Sequence, residues 1–386
     1  MKRIYLFIVM LSAVSFAMAQ TGITFFHGTW SETVAKAKAE NKLIFIDFYT
    51  QWCGPCLNMA ETVFVLPTVG DYYNSTFVNA KIDAEHGEGV ELAKKYGVRS
   101  YPTYAYVDPR TEELIHRSGS RQTAEQFVQT GKSATVPTLR SMYLESEYNK
   151  GNRDKQFLID YIHYENSIYK RNLVRTAFDE LIKGGAKLTE SDVWNLYVAS
   201  ISGVDNPYLQ QVSDNYDEFC NLFGKQAVDE KLAKETTYCE LEVLDKLCNF
   251  EGKEFNRKMI LINKDLNAKR YDMVIKGIDE MIADSTVNQQ ELISRLKFIA
   301  RLSRSGKDIP DNWFYKCVEY LQYIAYNMSD RQDAYIHQEY AQALEELIRR
   351  MPKENIPAFI ANQPLHGKKE YSMRPDILKQ KPMKKK

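Results

Sequence analysis

Residues 43–56 read Leu43-Ile44-Phe45-Ile46-Asp47-Phe48-Tyr49-Thr50-Gln51-Trp52-Cys53-Gly54-Pro55-Cys56. Apart from one carboxylate, the first seven are aliphatic or aromatic, a composition suited to a strand buried on both faces. Gly54 and Pro55 follow shortly after, and a proline costs little in the first turn of a helix, where its missing N–H would have no intrahelical partner. The segment therefore predicts a strand over Leu43–Tyr49, then a helix from about Gly54 to Phe64, with a Cys-x-x-Cys at the junction.

Cys-x-x-Cys can hold zinc, attach haem or work as a redox dithiol. Zinc calls for a second ligand pair, yet Cys220, Cys239, Cys248 and Cys317 stand alone in helical sequence. Covalent haem calls for His directly after the second Cys, and residue 57 is Leu. The six histidines, at 27, 86, 116, 163, 337 and 366, form no i, i+4 pair and no HExxH, so no metal site is expected. A redox dithiol remains, needing no cofactor beyond its own disulfide. At a helix N-terminus a Cys faces unpaired N–H groups and the positive end of the dipole, both of which favour thiolate. Cys53, first and more exposed, is expected to attack; Cys56, one turn inside, is expected to cleave the mixed disulfide. The competing reading is an inert structural bridge, which would gain little loop entropy across two intervening residues.

Outward from this point the chain changes character once. Residues 21–132 alternate short β-rich runs with short helical patterns, the mark of an α/β layer fold. Ser31 is expected to cap a helix over Glu32–Glu40. A helical turn starting at Pro67, a strand at Phe77–Ile82 and a helix at Gly89–Tyr96 ended by Gly97 follow. Strands at Thr103–Val107 and Leu114–Ser118 flank an Asp108-Pro109 turn, and Thr123–Gln129 closes the unit as an amphipathic helix. From 138 to 351 only helical periods occur: Arg171–Lys183, Glu190–Ile201, Asn206–Phe223, Lys225–Phe250, Tyr271–Ala283, Gln289–Arg304, Asn312–Met328 and Arg331–Met351. They are spaced like stacked hairpins without a strict repeat, which reads as an irregular α-solenoid or bundle. Phe314, Tyr315, Tyr320, Tyr323 and Tyr326 form an aromatic helix face expected to pack. On one continuous helix Cys239 and Cys248 lie on opposite faces about 13 Å apart, too far for a disulfide, leaving buried thiols or pairing with Cys220 or Cys317.

The 386 residues are 44% hydrophobic and 26% charged, enough for ordinary packed cores and too much for a disordered or collagen-like chain. Lys plus Arg equals Asp plus Glu at 51 each, so nothing in the net charge points to nucleic acid. Lys2 and Arg3 precede an apolar run from Ile4 to Ala17, and Ala17-Met18-Ala19 suits a signal peptidase. A signal peptide over 1–19, a mature start at Gln20 and a periplasmic or secreted location are expected, with no stable membrane insertion after cleavage. Residues 356–386 read as a basic, disordered tail.

With Ile46 to Cys56, the motifs Lys95-Tyr96-Gly97-Val98 and Tyr101-Pro102-Thr103 occur in an order and at a spacing that resemble the thioredoxin family over roughly residues 25–132. The segment Phe64-Val65-Leu66-Pro67-Thr68-Val69 is similar to the periplasmic C-terminal domain of DsbD-type electron transporters. The resemblance implies a mixed sheet flanked by helices over 20–135, with the all-α part over 136–355 as an addition. It also implies catalytic Cys53 and Cys56, supported by Trp52, Gly54 and Pro55. Asp47 would be a buried acid accepting a proton from Cys56 through water, or alternatively an edge residue in a turn contact. Pro102 would be cis beside the dithiol, with the Tyr101 backbone pairing a substrate peptide. The family's lysine near the buried acid corresponds to Asn79, with Lys81 two residues on. Disulfide-containing client proteins and an electron-donating thiol-disulfide protein are the implied partners. The resulting expectation is an extracytoplasmic protein-disulfide reductase whose helical part binds clients or partners. The alternative is a helical scaffold with an accessory, non-catalytic module.

Overall fold

A computed structural model of the chain describes residues 22–302 and 309–350. The expected signal peptide at 1–19 and basic tail at 356–386 lie outside the described residues. The chain divides into two compact units, one ending at Gly203 and the other beginning at Val204.

In the first unit a five-stranded mixed sheet has the order β1-β3-β2-β4-β5, formed by Phe25–Phe26, Leu43–Tyr49, Phe77–Asp83, Thr103–Asp108 and Glu113–Gly119 (β1, β2, β3, β4 and β5 in chain order). β2 pairs with β3 in parallel and with β4 antiparallel, so both of its edges are satisfied. Its side chains alternate between two cores. Ile44, Ile46 and Phe48 join Val34 and Ala37 of α1 (Trp30–Glu40) and Leu92 of α4 (Gly89–Lys95). Phe45 joins Met59 of α2 (Gly54–Thr62), Tyr73 of α3 (Pro67–Thr76) and Phe127 of α5 (Ala124–Thr135). Phe45 and Phe48 have no exposed surface, and full burial of such a side chain stabilises by about 1.5–3 kcal/mol.

Local chemistry explains where the elements depart from the sequence reading. Thr29, not Ser31, caps α1: its hydroxyl accepts from the Glu32 amide, and the Glu32 carboxylate accepts from the Thr29 amide at 2.8 Å. Ser31 has Val34 three residues on and cannot close such a box. The single turn expected at Pro67 is a ten-residue helix despite its Gly, Asn and Ser content. Its packing supplies what propensity does not: Tyr73 stacks on Phe127 at 4.4 Å, and its hydroxyl meets that of Tyr106 at 2.7 Å. A Cβ on Gly70 would lie 2.2 Å from the Gly22 carbonyl oxygen, so the close approach of helix and chain requires glycine there.

The secondary structure becomes wholly helical after Thr135, yet the first compact unit continues through α6 (Ser141–Asn149), α7 (Lys155–Ser167), α8 (Arg171–Lys183) and α9 (Ser191–Ser200). Of these, α6 and α7 are built onto β5. The Arg117 amide donates to Ser141 Oγ at 2.9 Å, and the Ser141 amide donates to the buried His116 Nδ1 at 2.9 Å. The Arg117 guanidinium meets Glu145 at 3.0 Å, and the Tyr164 hydroxyl donates to the same carboxylate at 2.6 Å. An otherwise open strand edge is thus partly covered by helix.

The second unit contains nine helices among the described residues, α10 to α18: Pro207–Asp214, Tyr216–Phe223, Lys225–Glu235, Leu241–Lys246, Lys253–Asn267, Tyr271–Ala283, Gln289–Leu302, Asp311–Asn327 and Ala334–Arg350. Helical periodicity in the sequence marks no separate elements for α6, α7 and α14. The expected helix over 206–223 is broken at Asn215, whose amide side chain donates to the Gln211 carbonyl at 2.9 Å. The expected continuous helix over 225–250 is likewise two helices. The Thr236 and Thr237 hydroxyls bond back to the Leu232 and Ala233 carbonyls, and Asn256 Nδ2 donates to Thr236 Oγ1 at 2.9 Å and to the Ala233 carbonyl at 2.7 Å. Such local bonds compete with helix continuation. Cys239 and Cys248 therefore share no helix, and the 13 Å separation inferred from one does not apply. Of the aromatic face on α17, Phe314 and Tyr320 are buried in the core while Tyr326 is half exposed.

Because β5 is tied to α6 and α7, residues 20–135 alone are expected to be less stable than residues 20–203. The loss is about 2 kcal/mol or more, at roughly 1 kcal/mol per buried hydrogen bond plus uncovered apolar surface. Urea denaturation of the two fragments tests this; equal midpoints and slopes would show that the helices add nothing.

Candidate functional site

The site sits where β2 leaves the sheet. The Cys53 amide donates to the Thr50 carbonyl at 3.2 Å, turning the chain so that Cys53 becomes the N-cap of α2 with Pro55 in its first turn. Cys53 and Cys56 form a disulfide with their Cα atoms 5.3 Å apart. Cys53 Sγ accepts a hydrogen bond from the Cys56 amide at 3.1 Å. That donor and the helix dipole act on the same sulfur, and after reduction both favour its thiolate. The two cysteines were expected to differ in exposure, but each is 5% exposed. The cap position, rather than access, distinguishes Cys53.

Asp47 is buried within β2, and among the described residues neither carboxylate oxygen has a hydrogen-bond partner. It is therefore a core residue and not the edge residue of the alternative reading. Alternation along the strand puts it on the same sheet face as Phe45, the face covered by Met59 of α2. Cys56 and Met59 form the buried side of that helix. Burial raises the Asp47 pKa to about 7, partly opposed by the Lys81 ammonium. The residue in parallel register with Asp47 is Lys81, whereas Asn79 faces Phe45 and hydrogen-bonds the Thr24 carbonyl and Asn74. The lysine's place beside the acid, assigned to Asn79 from sequence, belongs to Lys81.

Around the disulfide, the Tyr101–Pro102 bond is cis. Trp52 is 71% exposed, its indole N–H donates to the Glu85 carboxylate at 3.0 Å, and its ring meets that of Tyr101 edge-on at 6.1 Å. Gly54 and Pro55 separate the two sulfurs within the first turn of α2. Trp52, Tyr101 and the exposed Leu57 present apolar surface in the neighbourhood of the dithiol. Sequence reasoning named Lys81 only as the residue two beyond Asn79, and it missed Glu85. The place of Lys81 beside Asp47 was legible only through strand register, and Glu85 lies in a turn that no periodicity marks.

Residues 23–131 match the family model described as Thioredoxin. They form a thioredoxin domain. Thioredoxin-1 of Drosophila melanogaster is 44% identical over 69 residues, covering 18% of this chain and 60% of that protein. The chain thus spans about three fifths of the length of the curated thioredoxin it matches. A protein disulfide-isomerase of the same fly is 28% identical over 200 residues, covering 51% of this chain and 38% of that protein. A solved structure of a disulphide-isomerase candidate from Bacteroides thetaiotaomicron is 40% identical, covering 30% of this chain and 94% of its own, at a TM-score of 0.28. The thioredoxin domain is of the thiol-disulfide oxidoreductase type and carries its cysteine pair at Cys53 and Cys56.

The Asp47 carboxyl yields a pH signature. In the folded state it holds its proton up to about pH 7, whereas the unfolded carboxyl releases it near 3.8. Its contribution therefore favours folding least at high pH: stability falls as pH rises through 3.8 to 7, and the full cost is present above 7. Asp47→Asn should stabilise the oxidised protein at pH 8 by on the order of 4 kcal/mol and change little at pH 4, as read by urea denaturation at both pH values. An equal effect at both would remove the buried-acid assignment.

Proposed function

We propose that the protein is an extracytoplasmic protein-disulfide reductase that uses the Cys53–Cys56 dithiol on disulfide-containing client proteins. The observation that carries this reading is Cys53 at the helix N-cap, its sulfur held by the Cys56 amide, on the helix that covers Asp47. The Cys53 thiolate attacks a client disulfide and forms a mixed disulfide, releasing one client sulfur. Asp47, with about half of its population ionised near pH 7, accepts the proton of Cys56 through water, and the Cys56 thiolate then displaces the second client sulfur. The oxidised pair is returned to dithiol by an electron-donating thiol-disulfide protein. Trp52, Tyr101 and Pro102 form the client-docking face, with an extended client segment pairing against the Tyr101 backbone. Residues 136–355 hold clients or partners, which raises the effective concentration of a disulfide near Cys53.

Gly54-Pro55 between the cysteines supports reduction over oxidation, because it is the pair found in reducing thioredoxins. The glutathione redox titration should give a potential near about −270 mV, and the wild type should reduce insulin with dithiothreitol; a potential near about −120 mV would make it an oxidant. Insulin turnover indistinguishable from dithiothreitol alone would favour the scaffold reading instead.

The two cysteines should separate by substitution. Cys53→Ser loses attack altogether, and Cys56→Ser accumulates client mixed disulfides that non-reducing gels resolve. Ending the Cys56→Ser chain after Gly203 should remove most of these adducts, and an unchanged set would deny the second unit a client role. Location rests on residues 1–19; mass spectrometry of the native protein from a non-cytoplasmic fraction should find Gln20 at its N-terminus, and retention of Met1 would reject export by cleavage.

A further inference from the structure

Three chain segments leave the same end of the sheet. Phe48 near the end of β2, Thr103 at the start of β4 and Gly119 at the end of β5 are register partners, so the turn to Cys53, the Tyr101-Pro102 pair and the connection from β5 to α5 emerge side by side. That connection is held on both sides. The Ser120 amide donates to the Pro102 carbonyl at 3.1 Å, and the Gln122 amide meets Met59 Sδ of α2 at 3.3 Å. Between them lies Arg121, whose carbonyl accepts from the Tyr169 hydroxyl at 3.4 Å. These links keep that hydroxyl within about 14 Å of the Pro102 carbonyl, a span that four extended residues cover.

Neither backbone preference nor packing accounts for a tyrosine at position 169. It follows α7 in the left-handed region at φ 60°, where its amide donates to the Asn166 carbonyl and the next amide, of Lys170, donates to the Glu165 carbonyl. A helix end of this geometry favours glycine. A tyrosine there is strained, and with 57% of its surface exposed it gains little burial in return. α7 itself is fixed on β5 through Tyr164, whose hydroxyl shares the Glu145 carboxylate with Arg117 and whose ring lies 6.1 Å from His116. A firmly held helix thus carries a strained, exposed ring to the Pro102 end of the sheet, and strain of this kind persists where function uses it.

We infer that Tyr169 is a specificity-determining residue: its ring receives a bulky apolar side chain two or four residues from the client cysteine that bonds to Cys53. The inference rests on the reductase reading. An extended client segment paired with the Tyr101 backbone turns alternate side chains to one face, which sets the even spacing. Tyrosine offers a large apolar surface with few rotatable bonds, so its contact with such a side chain costs little entropy.

The test uses the full chain, reduced and freed of dithiothreitol. Consumption of bis(2-hydroxyethyl) disulfide by the wild type checks the reductase reading, since each disulfide consumed releases two thiols and leaves Cys53 and Cys56 joined. Specificity is then read with two peptides that carry one cysteine each and are oxidised to homodimers. They differ only in whether the residues two and four positions from the cysteine, on both sides, are leucine or serine. The wild type should reduce the leucine peptide at least about threefold faster than the serine peptide, as measured by release of peptide thiol. Tyr169→Gly suits the backbone at that position and should bring the two rates together, whereas Tyr169→Phe keeps the ring and should preserve the preference. Equal rates in the wild type, a preference that survives Tyr169→Gly, or a preference lost in Tyr169→Phe would each overturn the inference, while turnover of the small disulfide leaves the reductase reading standing. A wild type inert toward the small disulfide would overturn both.

Discussion

β2 is covered on both faces and hydrogen-bonded along both edges, and the chemistry of the site depends on that double burial. A strand held on four sides cannot shift register, because a one-residue slip would move Ile44, Ile46 and Phe48 into the opposite core. Its end at Tyr49 is thereby fixed, and with it the Thr50 carbonyl that turns the chain into the cap at Cys53. The same burial strips water from Asp47. One packing arrangement thus sets both the position of the Cys53 sulfur at the helix cap and the acidity of the Asp47 carboxyl.

Two electrostatic effects of opposite kind meet across this junction. At the helix N-terminus, oriented amides lower the cost of negative charge on sulfur. One layer below, desolvation raises the cost of negative charge on a carboxyl, and Lys81 recovers only part of it. The Asp47 carboxyl is thereby left with a proton affinity near neutrality, which an exposed aspartate would not have. Stability is lost to keep in the core an acid with no hydrogen-bond partner among the described residues.

The helical region adds to this in two different ways. α6 and α7 complete the sheet by covering β5 through His116, Arg117, Ser141 and Glu145, so they belong with the thioredoxin domain although they share no pattern with it. The helices after Val204 have a core of their own around Trp313, Phe314 and Leu321. Composition alone could not separate these two roles, because both sets of helices are amphipathic and differ only in what lies opposite their apolar faces.

Much of the site was legible in the sequence because its signals are local. The apolar run, the Cys-x-x-Cys, the helix-opening Pro55 and the Tyr101-Pro102 pair each lie within a few residues, and elements such as Arg171–Lys183 and Tyr271–Ala283 follow directly from helical periodicity. What depended on partners distant in the chain was not legible. Lys81 rather than Asn79 stands beside Asp47 because strand register decides it, and periodicity along one strand carries no information about its neighbour. The break at Thr236 requires Asn256, twenty residues on, to hold the turn. The equal burial of Cys53 and Cys56 likewise comes from packing. The sequence by itself determined the kind of chemistry and the elements that carry it, since residue type and short-range spacing set both; tertiary structure alone decided which charges and carbonyls face one another, since those distances are fixed by the closed core.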